Sequence, residues 1–149
     1  MGRPSNRDQT DLATQTIHGM KAKGIRAVIP DICLGELVKV SAKKDLKLDF
    51  GEVTRHLKEE EIVVGHVQPD DLGHYANVVA KIHRVDNYLE STDVRILAMS
   101  ITSRECMGLL TFEGKLLGNP ALLKFIAKEV NFKKGHLITD DPFKRALLR

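Results

Sequence analysis

Two stretches of sequence decide how this chain is interpreted: Thr92-Asp93-Val94-Arg95-Ile96-Leu97-Ala98-Met99-Ser100-Ile101 and Gly108-Leu109-Leu110-Thr111-Phe112-Glu113. The first has the periodicity of a helix, which puts Asp93 on one face with Ile96, Leu97, Ser100 and Ile101. The second is a short apolar run, typical of a strand, that ends at an acid. A carboxylate on the apolar face of a helix is costly unless a cation or a hydrogen-bond donor pairs with it. The two stretches therefore predict an acidic site.

The composition predicts one globular domain that spans residues 1–149. An apolar fraction of 42% is enough to form a core. The sequence has no run of about 18 apolar residues, so no membrane span is expected, and the first eight residues contain no apolar leader segment. We therefore expect a cytoplasmic protein. Cys33 and Cys106 lie among apolar neighbours and are interpreted as buried free thiols.

Helix-like and strand-like segments alternate along the chain, which favours an α/β fold with a mostly parallel sheet. Asp45–Glu60 has a less clear pattern, which suggests a helix with a charged end. We expect Pro30 to occupy the first position of its helix, where its missing N–H costs nothing. The predicted helices are Thr10–Lys23, Pro30–Ser41, Leu72–Tyr88, Thr92–Thr102 and Pro120–Val130, and the predicted strands are Ile25–Ile29, Ile62–Val67, Met107–Thr111 and His136–Thr139.

Each candidate acid also has an ordinary structural explanation. Glu36 shares an apolar helix face, yet it can reach solvent from the rim of that face. Asp93 lies in the first turn of a helix, where acids are favoured by the helix dipole. Glu113 precedes a glycine and suits a turn, although the carboxyl ends of parallel strands are also where open α/β sheets form ligand sites. Thr111 would add a hydroxyl there. Asp140 and Asp141 form a rival acidic corner that suits a turn before Pro142.

Other common hydrolytic sites have no support in the sequence. The six histidines show no zinc-type spacing, and there is no phosphate-binding glycine loop and no serine elbow. The net charge of +3 is too small to identify a nucleic-acid partner by itself.

Three passages resemble the PIN domain, a family of metal-dependent ribonucleases. Residues 29–37 resemble the strand-to-helix passage that carries the family's second acid, here Glu36. Residues 92–100 resemble the helix that carries the third, here Asp93. Residues 109–117 resemble the strand and corner that carry the fourth, here Glu113. The resemblance covers roughly residues 10–139.

The resemblance implies a fold and an activity. The fold is a three-layer sandwich whose central sheet is mostly parallel. Glu36, Asp93 and Glu113 would hold Mg²⁺ or Mn²⁺, Thr111 would orient a water or a carboxylate, and Lys115 would meet the RNA backbone. The activity is hydrolysis of RNA phosphodiesters. Many small members are toxins of toxin–antitoxin pairs, so an antitoxin and a homodimer are the expected protein partners.

Two departures from the family pattern weaken this interpretation. The corner acid of the family is usually aspartate, whereas this chain has Glu113. The family also opens with an apolar strand that ends in its first acid, and residues 1–9 contain no such strand. Three hypotheses follow: Met1 is an internal methionine of a longer reading frame, the chain is a degraded relative, or another segment replaces the strand. The alternative to a ribonuclease is a PIN-like binding or scaffold module without catalysis.

Overall fold

The computed structural model describes residues 6–106, 108–129 and 137–139, and the chain divides into two compact units, residues 1–66 and residues 67–149. In both units helices alternate with short strands, so the predicted α/β class is confirmed. No helix of the described residues is long and apolar enough to cross a membrane. That the two units form one domain stays a prediction.

The elements follow the predicted order with shorter strands. The first unit contains α1 (Asn6–Ala22), β1 (Val28–Pro30), α2 (Asp31–Lys43), α3 (Phe50–Glu59) and β2 (Val63–Gly65). The second unit contains a 3₁₀ turn (Pro69–Asp71), α4 (Leu72–Val85), α5 (Ser91–Thr102), β3 (Gly108–Leu110), α6 (Pro120–Glu129) and β4 (Leu137–Thr139). The uncertain segment 45–60 thus contains the helix α3. Val130, His136, Asp140 and Asp141 lie outside the described residues.

In the described part of each unit there is one pair of parallel strands. In the first unit β1 pairs with β2, with Val28 opposite Val63 and Pro30 opposite Gly65. In the second unit β3 pairs with β4, with Gly108 opposite Leu137. Parallel neighbours need a long crossover, and helices supply it: α2 and α3 between β1 and β2, and α6 between β3 and β4.

The prediction for Pro30 was wrong by one position. Pro30 ends β1 in extended conformation, with ψ of 140°, and it is the N-cap residue of α2, which begins at Asp31. The reason is the pairing of Pro30 with Gly65, because a residue in a strand ladder cannot also take up helical dihedral angles. Pro30 can end this strand although it has no N–H to donate to the ladder.

All three helices of the first unit end in the same way, with a residue in the left-handed region followed by a backbone bond to the helix. The left-handed residues are Gly24 (φ 71°), Asp45 (φ 52°) and Glu61 (φ 55°). The bonds run from Ile25 N–H to Met20 O at 2.9 Å, from Leu46 N–H to Ser41 O at 2.8 Å, and from Ile62 N–H to Leu57 O at 2.8 Å. This is the Schellman arrangement, which satisfies carbonyls that the helix leaves unpaired.

The second unit has its own hydrophobic core. Helices α4, α5 and α6 supply most of it, together with Leu89 before α5 and Leu116 before α6. Ile82, Val94 and Leu122 have no exposed surface. The buried cluster consists of Val78, Ile82, Leu89, Val94, Leu97, Ala98, Ile101, Leu116, Leu122, Phe125 and Ile126.

Candidate functional site

Asp93 lies in the first turn of α5, at the margin of the face that this helix buries. Val94, Leu97, Ala98 and Ile101 form the buried face, so the side chain of Asp93 is only partly buried. The predicted face was therefore right for Leu97 and Ile101, whereas Ile96 and Ser100 are partly buried like Asp93. The buried face of α5 is rotated relative to the predicted one because Val94 and Ala98 complete a continuous apolar stripe at helical spacing.

The environment of Asp93 disfavours its charged form. Burial, followed by the nearby carboxylates of Glu113 and Glu90, raises the pKa of Asp93 above its ordinary value, while the ammonium group of Lys115 opposes the rise. Acids whose charge is penalised by burial and by a like charge are common in functional sites. Asp93 therefore lies among like charges, and this neighbourhood is the candidate site of the second unit.

Glu113 is held in a tight turn after β3. Its carboxylate Oε1 accepts a hydrogen bond from Lys115 N–H at 3.1 Å, and its carbonyl accepts from Leu117 N–H at 3.0 Å. The Glu113 N–H itself donates to the hydroxyl Oγ1 of Thr111 at 3.0 Å. Thr111 therefore shapes the backbone that carries Glu113, and its hydroxyl keeps a proton that it can donate elsewhere.

Glu36 belongs to the first unit. It lies in α2, partly buried, with Ile32 and Cys33 of the same helix also partly buried and Val40 exposed. The apolar face predicted for Glu36 is therefore incomplete on its C-terminal side. The sequence-predicted residues that the second unit brings into one neighbourhood are Asp93 and Glu113, with Thr111 and Lys115 around Glu113.

The donor set of this site suits a hard cation that keeps part of its water shell. Asp93 and Glu113 offer carboxylate oxygens, and Mg²⁺ is commonly bound by one or two carboxylates with waters completing the octahedron. Within residues 6–106, 108–129 and 137–139, no group of three or more His, Cys, Asp or Glu side chains is arranged to hold a metal ion. Among the described residues, Asp93 and Glu113 are thus the two carboxylates that could contribute to binding a cation.

Sequence reasoning did not find Glu90 or Asn119. Glu90 is the N-cap residue of α5 and its charge acts on Asp93. Asn119 precedes Pro120, and a capping residue followed by proline is a recognised start signal of a helix. Asn119 does cap α6, since its Oδ1 accepts from Leu122 N–H at 3.3 Å.

The chain matches no protein-family model, and neither a curated protein nor a solved structure matches it.

Proposed function

We propose that this protein is a metal-dependent endoribonuclease of the PIN type, with its active site built on Asp93 and Glu113. The observation that carries the proposal is the partly buried Asp93 carboxylate, whose pKa is raised by burial and by the nearby carboxylate of Glu113, while the ammonium of Lys115 opposes the rise. Two like charges held together in a partly desolvated place are unfavourable for stability alone. A divalent cation and a phosphate group are the partners that such a site suits.

The roles of the residues follow from their chemistry. Asp93 and Glu113 would hold Mg²⁺ or Mn²⁺, with Glu36 as the third acid that the family resemblance assigns. When bound, the ion supplies charge neutralisation at the phosphate and a lowered pKa of a coordinated water. Lys115, exposed on the turn after Glu113, would bind a backbone phosphate of the RNA. Thr111 keeps the turn in shape through its bond to Glu113 N–H.

The proposal includes the finer fold and the partners. It assumes a single PIN-like domain with a three-layer sandwich and a mostly parallel central sheet. The parallel pairing of β1 with β2 and of β3 with β4 supports only the parallel strand direction, because these strands form two separate two-stranded sheets. A place in a toxin–antitoxin pair, with an antitoxin and a homodimer as protein partners, rests on the resemblance alone, as does a cytoplasmic location.

The test is thermal unfolding with and without Mn²⁺, followed by cleavage of single-stranded RNA. We expect Mn²⁺ at a hundred times its dissociation constant to stabilise the protein by roughly 2.7 kcal/mol. Asp93→Asn should remove both the stabilisation and the cleavage. Asp49→Asn is the matched control, because Asp49 is an exposed N-cap residue of α3 and asparagine caps a helix as well as aspartate does.

A second function is favoured by one observation. In the described part of the chain no three acids are arranged to hold a metal ion, and a PIN-like scaffold that has lost catalysis would leave such a set incomplete. This alternative predicts that Mn²⁺ leaves the unfolding temperature unchanged in the unsubstituted protein and that RNA remains intact. Either result would reject the nuclease.

A further inference from the structure

Asn119 makes more contacts than a helix cap requires. Its Oδ1 caps α6 by accepting from Leu122 N–H at 3.3 Å, and its carbonyl accepts from Leu123 N–H at 3.0 Å. Serine, threonine or aspartate could do the same, because capping needs only an accepting oxygen. The amide nitrogen of Asn119 is therefore available for a separate task.

That nitrogen joins two other segments of the second unit. Nδ2 of Asn119 donates to the carbonyl of Lys115 at 3.1 Å and to Oδ2 of Asp86 at 3.2 Å. Asp86 follows α4, and its other oxygen accepts from Tyr88 N–H at 3.0 Å, in the segment that leads into α5. Among the side chains that cap helices, asparagine alone combines an accepting oxygen with an NH₂ group that donates twice.

The contact with Lys115 reaches the carboxylate of Glu113. The carbonyl of Lys115 is held by Asn119, and the N–H of the same residue donates to Glu113 Oε1 at 3.1 Å. Lys115 is thus fixed on both of its backbone polar groups. A change at Asn119 would free the carbonyl and loosen the amide that orients the Glu113 carboxylate.

We propose that Asn119 is a positioning residue of the acidic site: anchored by Asp86, it fixes the Lys115 backbone and through it the carboxylate of Glu113. This inference rests on the proposed function for the identity of the ligand, a divalent cation. It assigns Asn119 no contact with the cation or with RNA. Residues that hydrogen-bond to metal ligands without touching the metal typically contribute about 10–100-fold to metal affinity. We therefore expect loss of the Asn119 amide to weaken metal binding about tenfold.

The test compares Asn119→Ser with the unsubstituted full-length chain. Serine keeps the cap and the net charge but removes both donations of Nδ2, so unfolding should become easier only by the contribution of these two hydrogen bonds. The dissociation constant of Mn²⁺, measured from the signal of free Mn²⁺ by electron paramagnetic resonance, should rise about tenfold. Asn119→Thr serves as a second neutral capping variant if the serine variant folds poorly. Asp49→Ser, which replaces the cap of α3 in the first unit, should leave Mn²⁺ affinity unchanged.

A second readout does not depend on the metal. Hydrogen exchange of the Lys115 amide should be roughly threefold to tenfold faster in Asn119→Ser, the range that corresponds to one weakened hydrogen bond. If the unsubstituted chain binds no Mn²⁺, the proposed function fails and the exchange rate alone decides the role of Asn119. Unchanged exchange at Lys115, or unchanged Mn²⁺ affinity in a chain that binds the ion, would overturn the proposal.

Discussion

The two units bury their apolar side chains to very different extents. The second unit has a continuous core in which Ile82, Val94 and Leu122 have no exposed surface. Among the described residues of the first unit, Met20 is the one apolar side chain that is buried. Several others are well exposed there, including Leu37, Val40 and Phe50, the last at 56%. Since burial of apolar surface is the main favourable contribution to folding, the second unit has more stability of its own.

This difference indicates how each unit is held together. The second unit is stabilised by packing of α4, α5 and α6. It can therefore tolerate the unfavourable burial and repulsion of the Asp93 carboxylate. The first unit depends mainly on backbone hydrogen bonds at its helix ends and in its short sheet. These are the three Schellman ends, the cap of α3 by Asp49, and the pairing of β1 with β2 over three residues of each strand. A unit of this kind opens more easily, because few buried contacts resist local unfolding.

The largest expected effect comes from a matched pair of leucine substitutions. Leu97→Ala should cost about 2–5 kcal/mol, because Leu97 is almost completely buried and a cavity would remain. Leu37→Ala should cost less than about 1 kcal/mol, because the side chain is 40% exposed. Urea unfolding followed by amide exchange measures both. An equal cost for Leu37 would break the comparison, since it would mean that this face of α2 is covered in solution.

At the helix ends of the first unit, two substitutions should change the free energy of unfolding in opposite directions. Glu61→Gly should stabilise the protein by about 1 kcal/mol, since a residue with a side chain is strained at φ of 55° and glycine is not. Gly24→Ala should destabilise it by about 1–2 kcal/mol, because φ is 71° there and alanine is strained in that conformation. No neighbouring atom would hinder the added methyl group, so the backbone strain alone sets the cost.

Amide exchange of α1 and α3 reports these two changes directly. Both tyrosines, Tyr75 and Tyr88, lie in the second unit, so tyrosine fluorescence would follow that unit instead. The same sign for both substitutions would contradict the role of the left-handed residues in holding the first unit.

Asp93→Asn should stabilise the second unit at pH 7 in the absence of metal. Because the folded state raises the pKa of Asp93, the folded protein binds this proton more tightly than the unfolded chain does. The cost of the ionised group is therefore fully present above the raised pKa and disappears as the pH falls below the ordinary value of 3.8. The difference in unfolding free energy between variant and parent should shrink over that interval.

The control for this prediction is Asp49→Asn, measured over the same pH range. A gain for the Asp49 variant as large as that for Asp93 would show that the effect is a general one of charge removal. A loss of stability in Asp93→Asn would mean that the carboxylate makes a favourable contact that outweighs its burial.

The smallest effect is expected on the exposed face of α3. Arg55 pairs with Glu52 and Glu59 at helical spacing, and all three side chains are exposed. Exposed ion pairs are weak and are screened by salt. Arg55→Gln should therefore shift the unfolding midpoint less than any substitution above, and not at all in high salt. A larger shift would indicate that the first unit relies on this network.

The order of elements was predictable because periodicity is local. Alternating helices and strands were read from spacings such as Ile96, Leu97 and Ile101, and α5 begins within one residue of its predicted start. The strands are shorter than expected because apolar runs such as Ile62–Val67 contain residues that have no partner in the described ladder. The left-handed Asp45 and Glu61 were not predicted, since aspartate is a much weaker signal than glycine at that position and glutamate gives none.

The sequence predicted that Glu36, Asp93 and Glu113 meet in one site, and the described contacts bear only on Asp93 and Glu113. Asp93 and Glu113 were chosen from sequence, and the second unit does bring their charges together. The contributions of Asn119 and Asp86 arise from contacts between distant segments, such as that between Nδ2 and Oδ2. No periodicity or spacing along the chain reports such contacts. The role of Glu36 in a shared site stays a prediction.

The parallel ladders also determine the order in which the molecule assembles. Val28 pairs with Val63, and Gly108 pairs with Leu137. Each pairing closes a loop of roughly 30 residues, so we expect it to follow the formation of the helices inside that loop. During synthesis the turn that carries Glu113 leaves the ribosome well before β4 does. It is supported by a paired β3 only after Thr139 has emerged. An acidic site built on that turn would therefore be complete only after β4 has been synthesised.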